Sequence, residues 1–185
     1  GVKGGYIKDE SKRFGLNAFK ALGASYAIHK LFPDGNVGLT VTATDGNHGK
    51  GMAWSTHRLG GHAVVFMPAG TVASRVEAIR AIGDTEVTVT DLNYDGTVAT
   101  AAAYAKEHGG HLVQDTAFAG YEEVPKNITL GYSTMAAEAL EELAALGVGE
   151  PTHTFLQAGV GSMAGGVAAY LAETCKNPPA MAVVE

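Results

Sequence analysis

Short apolar runs alternate along the chain with longer segments in which apolar residues recur every third or fourth position. Runs of four to six aliphatic and β-branched residues bounded by turns read as strands, and the roughly 3.6-residue period reads as helix. The pattern predicts strands at Tyr6–Lys8, Leu39–Thr44, Ala63–Pro68, Glu86–Asp91, His111–Gln114, Thr154–Gln157 and Met181–Val184. Helices are predicted near 18–32, 48–60, 72–82, 95–108, 128–146 and 162–175, with Gly60-Gly61, Gly83, Gly109-Gly110 and Gly147 as stop signals. Strand and helix in alternation give the α/β class, a parallel sheet covered by helices. Four consecutive strand-helix units from Leu39 to Leu146 suffice for a smaller α/β domain at 35–147. The flanks, 1–34 and 148–185, then belong to a larger domain joined at the turn-rich Pro33-Asp34-Gly35-Asn36, with a cleft between the two lobes. Loops at the carboxyl ends of parallel strands are where such folds place ligands.

Composition narrows the function. With 46% hydrophobic and 17% charged residues the chain can bury a sizeable core. A net charge of −6 gives no electrostatic reason to expect nucleic acid or an anionic membrane as partner. The single cysteine, Cys175, excludes an internal disulfide, and with no apolar run of about 18 residues the expected location is cytoplasmic. Neither C-x-x-C nor H-E-x-x-H occurs, and His108 and His111, flanking Gly109-Gly110, read as ordinary surface, so no metal is expected. The chain opens at Gly1 without a methionine and ends on an apolar strand, which reads as a piece of a longer polypeptide.

Four stretches carry unusual chemistry. On a helix from about Asn17, Lys20 shares its face with Leu16, Gly23, Ala24, Ala27 and Leu31. An ammonium on a small apolar stripe near a helix N-terminus is opposed by desolvation and by the macrodipole, which favours the neutral, nucleophilic amine. The alternative is that Lys20 snorkels to water along Leu16. The loop Thr44-Asp45-Gly46-Asn47-His48-Gly49 joins a strand to a helix. It is either ordinary turn and cap chemistry or a site in which Asn47 faces a phenolic oxygen, free N–H groups hold a carboxylate and Asp45 is a base. Asp115, in Gln114-Asp115-Thr116, ends another strand in the same way. Finally, Gln157-Ala158-Gly159-Val160-Gly161-Ser162-Met163 bares main-chain N–H groups at a helix N-terminus and so makes an anion site; no Lys or Arg lies between Lys126 and Lys176 to assist it. The same stretch, Gly159-x-Gly161-x-x-x-Gly165 followed by Glu185, is close to a dinucleotide fingerprint and supports a rival nicotinamide reading, although its spacing departs from G-x-G-x-x-G.

A lysine nucleophile, a main-chain phosphate cradle and an amide facing a ring would together hold pyridoxal 5'-phosphate. Phe19-Lys20, Gly46-Asn47-His48 and the 159–163 loop resemble the motif set of fold-type II pyridoxal-phosphate enzymes, the tryptophan synthase β and threonine dehydratase group. Within that group, Lys8-Asp9-Glu10-Ser11, Arg13-Phe14-Gly15-Leu16-Asn17-Ala18-Phe19-Lys20, Thr44-Asp45-Gly46-Asn47-His48-Gly49 and Gln114-Asp115-Thr116-Ala117 are similar to the diaminopropionate ammonia-lyases.

The resemblance implies elimination of ammonia from D- or L-2,3-diaminopropionate to give pyruvate, by a homodimer acting on a small amino acid. It implies Lys20 as the residue that takes the aldehyde, Asp45 and Asp115 as bases towards the D- and L-isomers, and Asn47 with Gly159, Val160, Gly161, Ser162 and Met163 around the cofactor. Thr44, Asp45, Gly46, His48 and Asp115 would line the substrate. A serine or threonine dehydratase is the alternative; Asp45 favours the diamine, because those enzymes usually carry Ser there. An inactive piece of such a lyase is the other. The segment between Lys20 and Asp45 is shorter than the family pattern, and the chain stops before the part expected to face the pyridine nitrogen.

Overall fold

The computed structural model describes residues 1–185. Its strands are β1 (Leu39–Ala43), β2 (His62–Met67), β3 (Thr85–Val89), β4 (His111–Leu112), β5 (His153–Gln157) and β6 (Ala180–Val184). The helices are α1 (Lys20–Leu31), α2 (Asn47–Arg58), α3 (Ala73–Arg80), α4 (Tyr94–Glu107), α5 (Glu123–Gly131), α6 (Ser133–Ala145) and α7 (Ser162–Thr174). The first four strands form one parallel sheet in the order β3-β2-β1-β4, and β5 and β6 pair in parallel as a second sheet.

Residue alternation on β2 assigns its two faces. Ala63, Val65 and Met67 join the larger core with α1, α2, α3, α5 and α7, whereas Val64 and Phe66 join Val41 and Ala43 against Ala101 and Ala105 of α4. The larger core also takes Leu156 of β5, so one continuous apolar layer links both sheets. The two-stranded sheet stays only partly covered, with Phe155, Val183 and Val184 exposed.

The elements depart from the sequence reading at three places. Tyr6–Lys8 forms no strand. Tyr6 and Ile7 stay exposed and bury no face, and the segment is held by charge instead. Lys8 reaches Glu138 (3.0 Å) and Glu142 (2.5 Å) on α6, and Arg13 joins Glu10 and Glu138. The Arg13 hydrogen bond leads in holding the Glu138 carboxyl down at about 2.

The predicted helix at 128–146 is two helices. It begins earlier, because Pro125 falls in the first turn of α5, where its missing N–H costs nothing, and it breaks at Tyr132. Lastly, β4 ends at Leu112 because Gln114 replaces the ladder with its side chain: Oε1 accepts from Ala43 N–H (3.0 Å) and Thr42 Oγ1 (3.0 Å).

Glycines set how closely the helices approach. A Cβ on Gly51 of α2 would lie 2.6 Å from the Lys20 carbonyl carbon and 2.7 Å from Ala21 N, so α2 rests directly on the first turn of α1. At the α1–α5 crossing, a Cβ on Gly131 would meet Leu22 O at 2.5 Å, and one on Gly23 would meet Ile128 O at 2.7 Å. Backbone cannot swing aside as a side-chain tip can. Gly51→Ala is therefore expected to lower stability by about 1–3 kcal/mol through overpacking and to shift Lys20. Denaturant unfolding reads the first effect, and an unchanged midpoint would mean that the crossing is looser than its distances imply.

Candidate active site

Three helices begin at one cleft. Lys20 is the first residue of α1, Asn47 of α2 and Ser162 of α7, so three positive helix ends converge on it. The cleft has a volume of about 480 Å³. Its walls carry Lys20, Lys50 and Arg75 against Asp45 and Asp115, three cations to two carboxylates. The helix ends and this balance both favour an anionic occupant.

At α7, the first intrahelical acceptor bond runs from Gly165 N–H to Gly161 O (2.9 Å), which leaves the N–H groups of Ser162, Met163 and Ala164 without main-chain partners. Gly161 turns the chain at φ +83°, a left-handed conformation that a side chain resists. A Cβ at Gly159 or Gly161 would meet nothing within 4 Å, so the loop borders open space and is not packed against protein. The glycines that do serve close packing lie elsewhere: Gly166 faces Thr129 O of α5 at 2.3 Å from an added Cβ.

At α2, Thr44 Oγ1 accepts from Gly46 N–H (3.0 Å) and Gly49 N–H (3.2 Å), and Lys50 N–H reaches Gly46 O (3.1 Å). The N–H groups of Asn47 and His48 remain free. The N-cap is Gly46, with no side-chain cap bond, so neither Asp45 nor Asn47 acts as the cap that ordinary turn chemistry would make it. Arg75 Nη1 donates to the Asp45 carbonyl (3.0 Å) and steadies the loop from α3.

Lys20 is neither a lone amine on an apolar stripe nor solvated along Leu16. The first turn expected at Asn17 is not helical, Asn17 having φ +56°, and the helix starts at Lys20 itself. Nζ donates to Asp115 Oδ2 at 2.7 Å, with the two side chains only 18% and 6% exposed. It lies 5.7 Å from the Phe19 ring and 5.9 Å from the Tyr132 ring. Burial pushes the Asp115 carboxyl up, but the charges of His48 and Lys20 and the Lys20 hydrogen bond outweigh it, and the net shift is downward.

Of the predicted site residues, Lys20, Thr44, Asp45, Gly46, Asn47, His48, Asp115, Gly159, Val160, Gly161 and Met163 all line the cleft. Ser162 does not; its hydroxyl donates to the Asp115 carbonyl (3.3 Å), so its backbone and not its side chain faces the site. Thr44 has spent its hydroxyl on the loop, and His48 is buried.

Three lining residues escaped sequence reasoning: Lys50, Arg75 and Tyr94. Tyr94 starts α4, its hydroxyl bonds Gln114 Nε2 (2.9 Å), and burial followed by the charge of Asp115 pushes it up. A tyrosine opening the helix after β3 was its only signal, and that signal is indistinguishable from a surface residue.

A model of the pyridoxal-phosphate dependent enzyme family matches residues 1–185. The chain belongs to that family. It is 48% identical over 191 residues to the diaminopropionate ammonia-lyase of Escherichia coli (strain K12), covering 94% of this chain and 48% of that protein. It is 32% identical over 166 residues to a biosynthetic L-threonine dehydratase of Haemophilus influenzae, covering 90% and 30%. A crystal structure of Escherichia coli diaminopropionate ammonia lyase in complex with an aminoacrylate-PLP azomethine reaction intermediate superposes with a TM-score of 0.88 at 47% identity, over 96% of this chain and 49% of that one. The chain thus spans about half the length of the diaminopropionate ammonia-lyases it matches. The dinucleotide alternative leaves the Lys20–Asp115 pair without a task, and membership of this pyridoxal-phosphate family replaces it.

No helix is long and apolar enough to cross a membrane, and no group of three or more His, Cys, Asp and Glu side chains is placed to hold a metal ion.

Proposed function

We propose that this chain carries the cofactor site and both proton-accepting carboxylates of a pyridoxal-phosphate dependent lyase that eliminates ammonia from 2,3-diaminopropionate. The convergence of Lys20, the free amides of α2 and the open glycine loop of α7 on one cleft carries the reading. The residues fit the cofactor. Ser162, Met163 and Ala164 N–H groups suit a phosphate, the Asn47 amide suits the ring oxygen, and the nucleophile is Lys20. Bound pyridoxal phosphate would supply an aldehyde for Lys20 and an electron sink for charge left at the substrate Cα.

The chain's own residues do the rest. An ammonium cannot attack an aldehyde, and Asp115, at 2.7 Å, is placed to take the proton that Lys20 must shed. The free N–H groups of Asn47 and His48, with Lys50 and Arg75 nearby, orient the substrate carboxylate. Asp45, exposed, is the base towards the D-isomer, and Asp115, buried, the base towards the L-isomer. Loss of the Cα proton and of the β-amino group releases one ammonia, and hydrolysis of the enamine that remains releases the α-nitrogen as a second, so that 2,3-diaminopropionate and one water give pyruvate and two ammonia.

The homology to diaminopropionate ammonia-lyases and the carboxylate at Asp45 favour the diamine over serine or threonine. Cytoplasmic location and a homodimer complete the proposal. The test is product formation with pyridoxal phosphate present: pyruvate from 2,3-diaminopropionate should form at least about tenfold faster, as kcat/KM, than from serine. Faster turnover of serine or threonine would make the protein a dehydratase.

A further inference from the structure

His48 is the one buried polar side chain at the cleft that is left half-partnered. Its Nε2 lies 2.7 Å from the Val113 carbonyl oxygen. A carbonyl only accepts, so Nε2 carries a proton. The other nitrogen, Nδ1, is buried with no hydrogen-bond partner and lies 3.6 Å from Asp115 Oδ2, the oxygen that Lys20 also holds. The imidazole and carboxylate side chains are 5% and 6% exposed, so little water separates them. A neutral ring in this pose aims a lone pair at a carboxylate. A doubly protonated ring aims an N–H at it.

That geometry matters once Lys20 is engaged elsewhere, because a buried carboxylate left without a cation takes up a proton and ceases to be a base. We propose that His48, held by Val113 O, is the positioning residue that keeps Asp115 ionised and aimed when Lys20 leaves it, closing the 3.6 Å gap to a hydrogen bond.

The other groups that face Asp115 are Lys20 of α1, Tyr94 of α4, Tyr121 ahead of α5, Tyr132 between α5 and α6, and Asp45 across the cleft. Burial, with the charge of Asp115, pushes all three tyrosines up, so they stay neutral. Histidine is the only side-chain type in this set that ordinarily changes charge between about pH 5 and 8. Asp45 is exposed and has no such partner, so the device serves one carboxylate only.

The inference rests on the reading of Asp115 as the L-directed base, and two variants separate them. His48→Gln keeps a donor near Nε2 for Val113 but none for Asp115, whereas His48→Asn keeps a donor near Nδ1. In His48→Gln, kcat for the L-isomer should fall about 10²-fold more than kcat for the D-isomer, with KM for the L-isomer changed less than about threefold. The low-pH limb of the L-isomer kcat profile should move, and His48→Asn should recover part of the loss. Equal losses on both isomers would overturn the proposal.

A second measurement needs no turnover. In ¹⁵N spectra of Lys20→Ala, where the ammonium has left Asp115, His48 Nδ1 should carry a proton hydrogen-bonded to the carboxylate, and adding Asp115→Asn should abolish that signal. A His48 Nδ1 without a proton in Lys20→Ala would overturn the proposal by itself. Failure of Asp115→Asn to discriminate between isomers would instead remove the two-base reading while leaving the spectra to decide the His48–Asp115 pair.

Discussion

Lys20→Ala is expected to lose the visible absorbance band that the protein forms with added pyridoxal phosphate, the borohydride-stable mass addition on the peptide containing residue 20, and at least about 10³-fold in turnover. The reason is the amine's uniqueness in the cleft: Lys50 is the only other lysine there, and it sits one turn into α2, away from the carboxylate that can deprotonate it. The same change leaves Asp115 buried with only His48 beside it. Breaking a buried ion pair from one side is costly, but Lys20 is partly exposed and His48 remains, so the expected destabilisation is about 1–3 kcal/mol. Lys20→Arg separates the two losses. A guanidinium can pair with Asp115 but does not condense with an aldehyde, so stability should return while the band and turnover do not. A normal band in Lys20→Arg would remove Lys20 from the chemistry.

Exchanging the two carboxylates one at a time should divide the isomers. Asp45→Asn is expected to lower D-isomer turnover, and Asp115→Asn L-isomer turnover, each by about 10²–10⁴-fold, with the opposite isomer affected far less. Initial rates of pyruvate formation on the separate enantiomers read this directly, and equal losses on both would refute the two-face assignment.

Asp115→Asn has a second signature in acid. The folded Asp115 carboxyl is held below its ordinary value of 3.8 because the charges of His48 and Lys20 overcome burial. A depressed carboxyl contributes stability that is present above the ordinary value and is lost as pH falls through the depressed one. Unfolding free energy should therefore drop below about pH 4 in the unaltered protein and drop less steeply in Asp115→Asn, as denaturant titrations at several pH values would show.

Much of this was legible in the chain. Short runs of β-branched and apolar residues at Thr40–Ala43 and Ala63–Met67 located the central strands, because a strand covered on both faces is apolar at successive positions, and glycine stops located the helix ends. The glycine loop at 159–163 and the Asp45–Asn47 turn were visible because only small or turn-forming residues tolerate such backbone. What was illegible depended on distance in space. Nothing in the local sequence pairs Lys20 with Asp115, which lie 95 positions apart, or stops β4 early by borrowing the Gln114 amide. Ser162 looked like a phosphate ligand until its rotamer was known to face the Asp115 carbonyl.

The sequence by itself determined the class of fold, the alternation of strand and helix from Leu39 to Glu107 and the residue types that could hold an aldehyde and an anion, since period, turn chemistry and side-chain inventory are local properties. Tertiary structure alone decided which charges meet. Helices α1, α2 and α7 could bring Lys20, His48 and the glycine loop around one carboxylate only after glycines at their crossings let the backbones touch, and that approach is a property of packed surfaces that no single segment encodes.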